Sequence, residues 1–337
     1  MKKDYQIAEL EPYINWLYFY HAWGLSGKPR EEKEKLRKEA EQMLHSWQGN
    51  YQTHALFRLF EAESEGDDLL LHLQPEASLE QSSVSGQSTV SGQSSVSGQS
   101  SVSGQSSVSG QSFVSGQSSV SGQSSVSLEK PVLRFPMLRQ QHPTAPGEPN
   151  LCLADFILPK GRKAKTEDEK GIANHVGVFC TTVDAAITEA YHHDEYLGMM
   201  AQTLCDRLAE ATAEKLHEQV RREIWGYAPD EQLTIEQQHR EEYQGIRPAI
   251  GYPSLPDTSA NFIIDQLLDM KQVGIRLTET GMMTPHASVS GLMFAHPAAR
   301  YFELGKIGID QLRDYAHRRG VPVELMRRFL QSSLMKK

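Results

Sequence analysis

Apolar residues recur every three or four positions through residues 30–47, at Leu36, Ala40, Met43, Leu44 and Trp47, with lysines and glutamates between them. That spacing draws one apolar stripe and predicts a surface helix over 30–47. Ahead of it, residues 7–25 are rich in aromatics (Tyr13, Trp16, Tyr18, Phe19, Tyr20, Trp23). They predict a buried N-terminal helix that Gly24 and Gly27 break. The apolar runs 55–60 and 69–73 flank the turn Glu65-Gly66-Asp67-Asp68 and predict a hairpin, with 132–135 as the next strand. Further strands are predicted at 153–157, 176–180, 275–280, 288–294 and 300–304. A long helix begins near Val183 or near Asp194 and runs to Ile224; a short one covers 235 to about 243. Another, capped by Thr258 or Ser259, presents Ile263, Ile264, Leu267 and Leu268 and ends at Gly274. Two short helices separated by Gly320 and Pro322 close the chain. Helices mixed with antiparallel-looking strands predict an α+β fold rather than a doubly wound sheet.

Residues 82–127 break this pattern. Seven copies of Ser-(Ser/Thr/Phe)-Val-Ser-Gly-Gln run from Ser82 to Gln123, followed by Ser124-Ser125-Val126-Ser127. One small apolar residue per six cannot offset the entropy of ordering the backbone, so the repeat reads as a disordered linker. A hexapeptide solenoid is the alternative, but it lacks bulky aliphatics for its corners. The repeat therefore reads as a swollen loop between neighbouring strands.

Composition narrows the function. With 34 basic and 43 acidic residues the net charge is −9, which argues against nucleic-acid binding through bulk charge. Mean hydropathy is −0.49, and no run of about 18 apolar residues exists to span a membrane. The N-terminus lacks the apolar core of a secretion signal. Cys152, Cys180 and Cys205 are an odd count without metal-ligand spacing, so a cytoplasmic setting is expected. The signatures of α/β-hydrolases, zinc proteases, P-loop NTPases and dinucleotide enzymes are absent. His192-His193-Asp194-Glu195 reads as the solvated start of the long helix. Glu210 and Glu214, one turn apart, read either as a carboxylate pair or as partners of Arg207 and Lys215.

The most informative segment is Gly245-Ile246-Arg247-Pro248-Ala249-Ile250-Gly251-Tyr252-Pro253-Ser254-Leu255-Pro256-Asp257. Three prolines and two glycines exclude a helix or central strand. Arg247, Tyr252 and Leu255, each before a proline, are driven to extended geometry. A stiff rail with few backbone bonds of its own is expected, able to turn amides and carbonyls to a ligand. An arginine fork suits a carboxylate, and a tyrosine face suits a flat base or a cation.

This segment resembles the signature of the activation domain of cobalamin-dependent methionine synthase. Other matches follow in order: Glu11-Pro12-Tyr13-Ile14-Asn15-Trp16, Gly66-Asp67-Asp68, Cys152-Leu153-Ala154-Asp155-Phe156, Asp206-Arg207-Leu208-Ala209-Glu210-Ala211, Trp225-Gly226-Tyr227-Ala228-Pro229, Ala287-Ser288-Val289-Ser290-Gly291 and His296-Pro297. The resemblance implies a C-shaped α+β domain with a twisted antiparallel sheet flanked by helices. It implies binding of S-adenosylmethionine, whose methyl group is presented to oxidised cobalamin while flavodoxin or an equivalent reductase supplies an electron. Carried over, Asp155, Arg247, Tyr301 and Phe302 match contacts to S-adenosylmethionine, and Glu210, Glu241 and Tyr252 match supporting positions. Arg247 would grip the carboxylate, Asp155 the ammonium, and the proline-rich backbone the adenine. The chain departs from the family at Ile250, where proline is frequent, at Phe302, where tyrosine is common, and over residues 281–286.

The cobalamin motif Asp-x-His-x-x-Gly and the zinc-binding cysteines of complete methionine synthases are absent. The expected role is therefore that of a stand-alone reactivation subunit acting on a separate cobalamin-binding component. The alternative is a non-catalytic docking protein for a corrinoid protein or flavodoxin. Arg313, Arg318, Arg319, Arg327 and Arg328 are candidates for meeting an acidic flavodoxin, or simply form a solvated helix face.

Overall fold

The strand β5 (His175–Val183) is buried from Val176 onward because it has a neighbour on each edge and a layer on each face. It pairs antiparallel with β2 (Gln52–Glu65) on one edge and β8 (Ser288–Met293) on the other. The far edge of β2 takes β1 (Lys2–Gln6) along its first half and β3 (Asp68–His72) along its second. β4 (Val132–Pro136) joins β3 and completes a six-stranded antiparallel sheet. A small separate ribbon pairs β6 (Arg276–Leu277) with β7 (Met283–Thr284). The computed structural model describes residues 1–73, 131–164 and 172–335.

Strand alternation sorts the core into two layers. Val176, Val178 and Cys180 face Leu56, Phe60, Ile264 and Leu267, the last two from α7 (Asn261–Leu268). Phe179 and Val183 face the opposite way, toward Phe57, Leu208 and Ala209. Leu208 and Ala209 belong to α5 (Glu195–Gln219), which underlies the sheet with α1 (Ile7–Leu10), α2 (Trp16–Ala22) and α3 (Arg30–Trp47). The short α4 (Ala186–Ala190) leads into α5, and α6 (Ile235–His239) follows it. A third cluster packs α8 (Ile309–Arg318) and α9 (Val323–Phe329) around Leu138, Leu304 and Ile307. Among the described residues no helix is long and apolar enough to cross a membrane.

The α+β expectation agrees with this architecture, and the surface helix 30–47 keeps its bounds. Other elements differ for local reasons. The aromatic stretch 7–25 is not one helix: Pro12 sits at the start of a 3-10 turn (Glu11–Tyr13), and Asn15 caps α2 by accepting Leu17 N at 3.2 Å. The long helix starts after Asp194, which caps it through Leu197 N, and its predicted last turn is π-helical (Val220–Ile224). Asp257, rather than Thr258 or Ser259, caps the turn that opens α7. The helix ends at Leu268, and Gly274 closes the 3-10 turn after it. Residues 153–157 form no strand. Asp155 accepts the Cys152 amide at 2.9 Å and closes a 3-10 turn (Leu153–Phe156) instead. Residues 300–304 also form no strand; their backbone is tied to Pro253 and Ser254. The hexapeptide repeat lies outside the described residues; its flanks, β3 and β4, are hydrogen-bonded neighbours with His72 opposite Val132.

Candidate functional site

A cavity of about 720 Å³ opens between α5, α6 and the proline-rich segment 245–257. The segment is held to the sheet more firmly than its composition suggested. Ile246 and Phe294 exchange both backbone bonds at 2.9 Å, Leu292 N donates to Pro248 O, and Ile250 N donates to Ser290 O at 2.8 Å. The segment thus runs along the outer edge of β8. Ile250 makes a bond there that a proline would forfeit. Two glycines permit the approach. Gly245 has φ +84°, and a Cβ on it would meet Phe294 O at 2.3 Å; a Cβ on Gly291 would meet Pro248 O at 2.3 Å. The expectation of free amides fails, since those of Ile246, Arg247, Ile250 and Gly251 all donate within the protein.

The pinned backbone aims Arg247 into the cavity wall. Its side chain is 7% exposed, and Nη2 donates to Glu214 Oε1 at 2.5 Å. Nε of Arg247 and Oε2 of Glu214 are buried and have no partner. Burial works against the arginine's charge, but Glu214 and the hydroxyls of Tyr301 and Tyr243 outweigh it and raise its pKa. The guanidinium is a fixed cation. Tyr301 supports it from behind: its hydroxyl accepts the Arg247 amide at 2.8 Å and lies 3.4 Å from the Tyr243 hydroxyl.

The carboxylates gather on the same cavity. Glu210 and Glu214 stand one turn apart on α5, so both face it. Glu210 accepts from the Tyr252 hydroxyl. Lys215 donates to Tyr13 and pairs with Glu218, and Arg207, itself on the cavity, lies over the Tyr18 ring. Glu210 and Glu214 are thus engaged by Tyr252 and Arg247 rather than by Arg207 and Lys215. Glu241 lines the cavity with φ +59°, a left-handed backbone for a non-glycine residue. Its carboxylate has no partner among the described residues. Burial first, and then the Glu214 charge, raise its pKa against the pull of Arg247. Phe302 is a buried apolar wall, and its backbone carbonyl accepts from Ser254.

The structure does not bring Asp155 to this cavity. Both its oxygens are gripped by Arg139, at 2.7 and 2.8 Å. The cavity does include Tyr13, Asn15, Glu214, Gln238 and His239, which the site reading missed. Tyr13 and Asn15 lay in a matched segment and Glu214 stood one turn from Glu210, whereas Gln238 and His239 carried no signal. Behind the wall, Arg221 is fully buried, doubly bonded to Glu231 and 4.3 Å from the Tyr243 ring centroid. The π-helical turn brings it inward. His217 is also fully buried, and burial, then Arg221 and Arg247, hold its pKa well below 6.5. The three thiols take no part. Burial pushes Cys152 and Cys180 up to about 12 and raises Cys205 as well.

The docking candidates divide. Arg318 is bound to the buried Asp68 and to Asp314, and Arg319 is 6% exposed beside Asp257 and Ser259. Both are structural ion-pair partners, so neither contributes to a free basic face.

Two comparisons with known proteins match this picture. A family model for the activation domain of vitamin B12 dependent methionine synthase matches residues 6–121 and 118–320. The crystal structure of the MetH reactivation domain bound to AdoHcy is similar with a TM-score of 0.74 and 31% identity, covering 100% of this chain and 90% of that one. With the family match spanning most of the sequence, the chain belongs to the activation-domain family of vitamin B12 dependent methionine synthases.

Proposed function

We propose that this chain binds S-adenosylmethionine in the cavity beside Arg247 and serves the reductive remethylation of cobalamin held by a separate methionine synthase component. The observation that carries the reading is the buried guanidinium of Arg247 with an unpartnered Nε in the cavity wall. A pre-placed cation with an unused donor fits the carboxylate of an amino-acid nucleoside. The remaining walls suit the rest of that ligand. Phe302 and Pro248 give apolar surface, while Glu210, Glu214 and Glu241 give negative charge that favours a cation.

Bound S-adenosylmethionine supplies a methyl group on a sulfonium, a leaving group that needs no protonation. The chain's residues accordingly bind and orient. Arg247 fixes the carboxylate end, Tyr301 holds the backbone that carries Arg247, and Tyr252 is held by Glu210 near the mouth. Positioning of this kind is the protein's main lever when the reactive group belongs to a cofactor. The cobalamin-carrying partner and a flavodoxin-type reductase complete the proposed reaction.

Titration calorimetry on the folded chain tests the binding step. S-adenosylmethionine is expected to bind, and Arg247→Ala to weaken it by about 10- to 100-fold, the worth of a charge-assisted hydrogen bond. Absence of binding to the folded wild type overturns the reading. Capture of a cobalamin protein without any effect of S-adenosylmethionine would then favour the docking role.

A further inference from the structure

Arg221 is a fully buried cation whose charge is met on one side only. Its Nε and Nη2 bond Glu231, while Nη1 is buried without a hydrogen-bond partner among the described residues. Taking a charge out of water is often not repaid by its ion pair, so an apolar side chain of similar volume would be the more stable choice there. The fold nevertheless turns Arg221 inward with a π-helical turn (Val220–Ile224), and such turns gather at functional positions. Neither Arg221 nor the Tyr243 it covers lines the cavity, so Arg221 touches no ligand bound there.

From Arg221 an unbroken line of contacts leads to Arg247. The Arg221 guanidinium lies 4.3 Å from the centroid of the Tyr243 ring, a cation–π contact in which a flat fork holds a flat ring. The Tyr243 hydroxyl lies 3.4 Å from that of Tyr301, which accepts the Arg247 amide at 2.8 Å. Arg247 needs this support, because its guanidinium has one hydrogen-bond partner among the described residues, Glu214. The direction of the side chain is then set by its main chain. Resting on the reading of this cavity as an S-adenosylmethionine site, we infer that Arg221 is a positioning residue for that site. Glu231 anchors Arg221, Arg221 holds Tyr243, and Tyr243 and Tyr301 pass the constraint to the main chain of Arg247. The neighbouring amides do not share this route, since Ile246 N donates to Phe294 O and Ile250 N to Ser290 O.

Amide hydrogen exchange followed by NMR, together with titration calorimetry, tests this on the full chain. Arg221→Lys keeps the charge opposite Glu231 but loses the planar face over Tyr243. It is expected to speed exchange of the Arg247 amide by about 10-fold, the weight of one hydrogen bond, and to leave the amides of Ile246 and Ile250 within about two-fold of wild type. S-adenosylmethionine is expected to bind the variant about 3- to 10-fold more weakly. Tyr243→Phe removes only the hydroxyl beside Tyr301 and is expected to give the same pattern, so it decides the matter if Arg221→Lys does not fold. Equal acceleration of all three amides is general loosening and overturns the inference, as does an unchanged Arg247 amide or an unchanged affinity. If wild type does not bind S-adenosylmethionine, the cavity reading fails and takes this role with it. Failure of the inference alone shows instead as normal wild-type binding with no selective change at the Arg247 amide.

Discussion

His217 shows what a residue costs when it is buried without a full set of partners. Its Nε2 lies 3.3 Å from the Tyr227 hydroxyl, and its Nδ1 is buried and unpartnered. Its folded pKa is held well below 6.5, so the unfolded chain binds a proton that the folded chain refuses. Stability is then expected to fall as pH drops below about 6.5. Urea unfolding at pH 7.5 and 5.5 is expected to show a larger loss for wild type than for His217→Asn, by on the order of 1 kcal/mol. An identical loss in both would mean that His217 is not protonated on unfolding in this range. The ion pairs at this scale were the least legible part of the sequence. Arg318, Arg319 and Arg139 look like ordinary surface charge until Asp68, Asp257 and Asp155 are brought to them. Asp155 shows the same limit: its motif was visible, but its partner Arg139 was not.

Elements fared better where their cause is local. The stripe of residues 30–47 and the strands 132–135, 176–180 and 288–294 follow from periodicity and reappear with small shifts. The elements that failed are set by side-chain bonds that periodicity does not register, such as the Asp155 cap on residues 153–156. The proline-rich segment was recognisable as extended, yet its seat on β8 depends on Gly291, whose reason for lacking a side chain appears only in three dimensions. Gly291→Ala must push the Pro248 carbonyl away from a Cβ that would stand 2.3 Å from it. Overpacking of this kind costs about 1–3 kcal/mol. The displaced segment carries Arg247, so calorimetry on the variant is expected to show weakened S-adenosylmethionine binding beside a lowered Tm. Unchanged affinity would show that the seat on β8 does not position the arginine.

At the scale of the whole molecule, two layers on one sheet bring the cavity together from distant stretches of chain. Asn15, Glu210, Glu241 and Tyr301 come from the N-terminal turns, α5, the loop after α6 and a segment near the C-terminus. A sequence displays each of these separately and their meeting not at all, which is why Asn15 and Gln238 were missed. Residues 74–130 join β3 to β4, which are already paired from Asp68 opposite Pro136 to His72 opposite Val132. A four-residue turn is expected to replace the connection without loss, because a hairpin needs only a short loop. The shortened protein is expected to melt no lower than the full chain and to bind S-adenosylmethionine equally; a lower melting temperature or weaker binding would give the repeat a structural or functional role. The position of the Arg247 segment has one more consequence. β8 would otherwise end the sheet with a row of open backbone groups, a template for another chain to add to. The segment covers that row, and its own outward amide at Arg247 is taken by the Tyr301 hydroxyl. The stretch that serves the cavity thereby also guards against self-association.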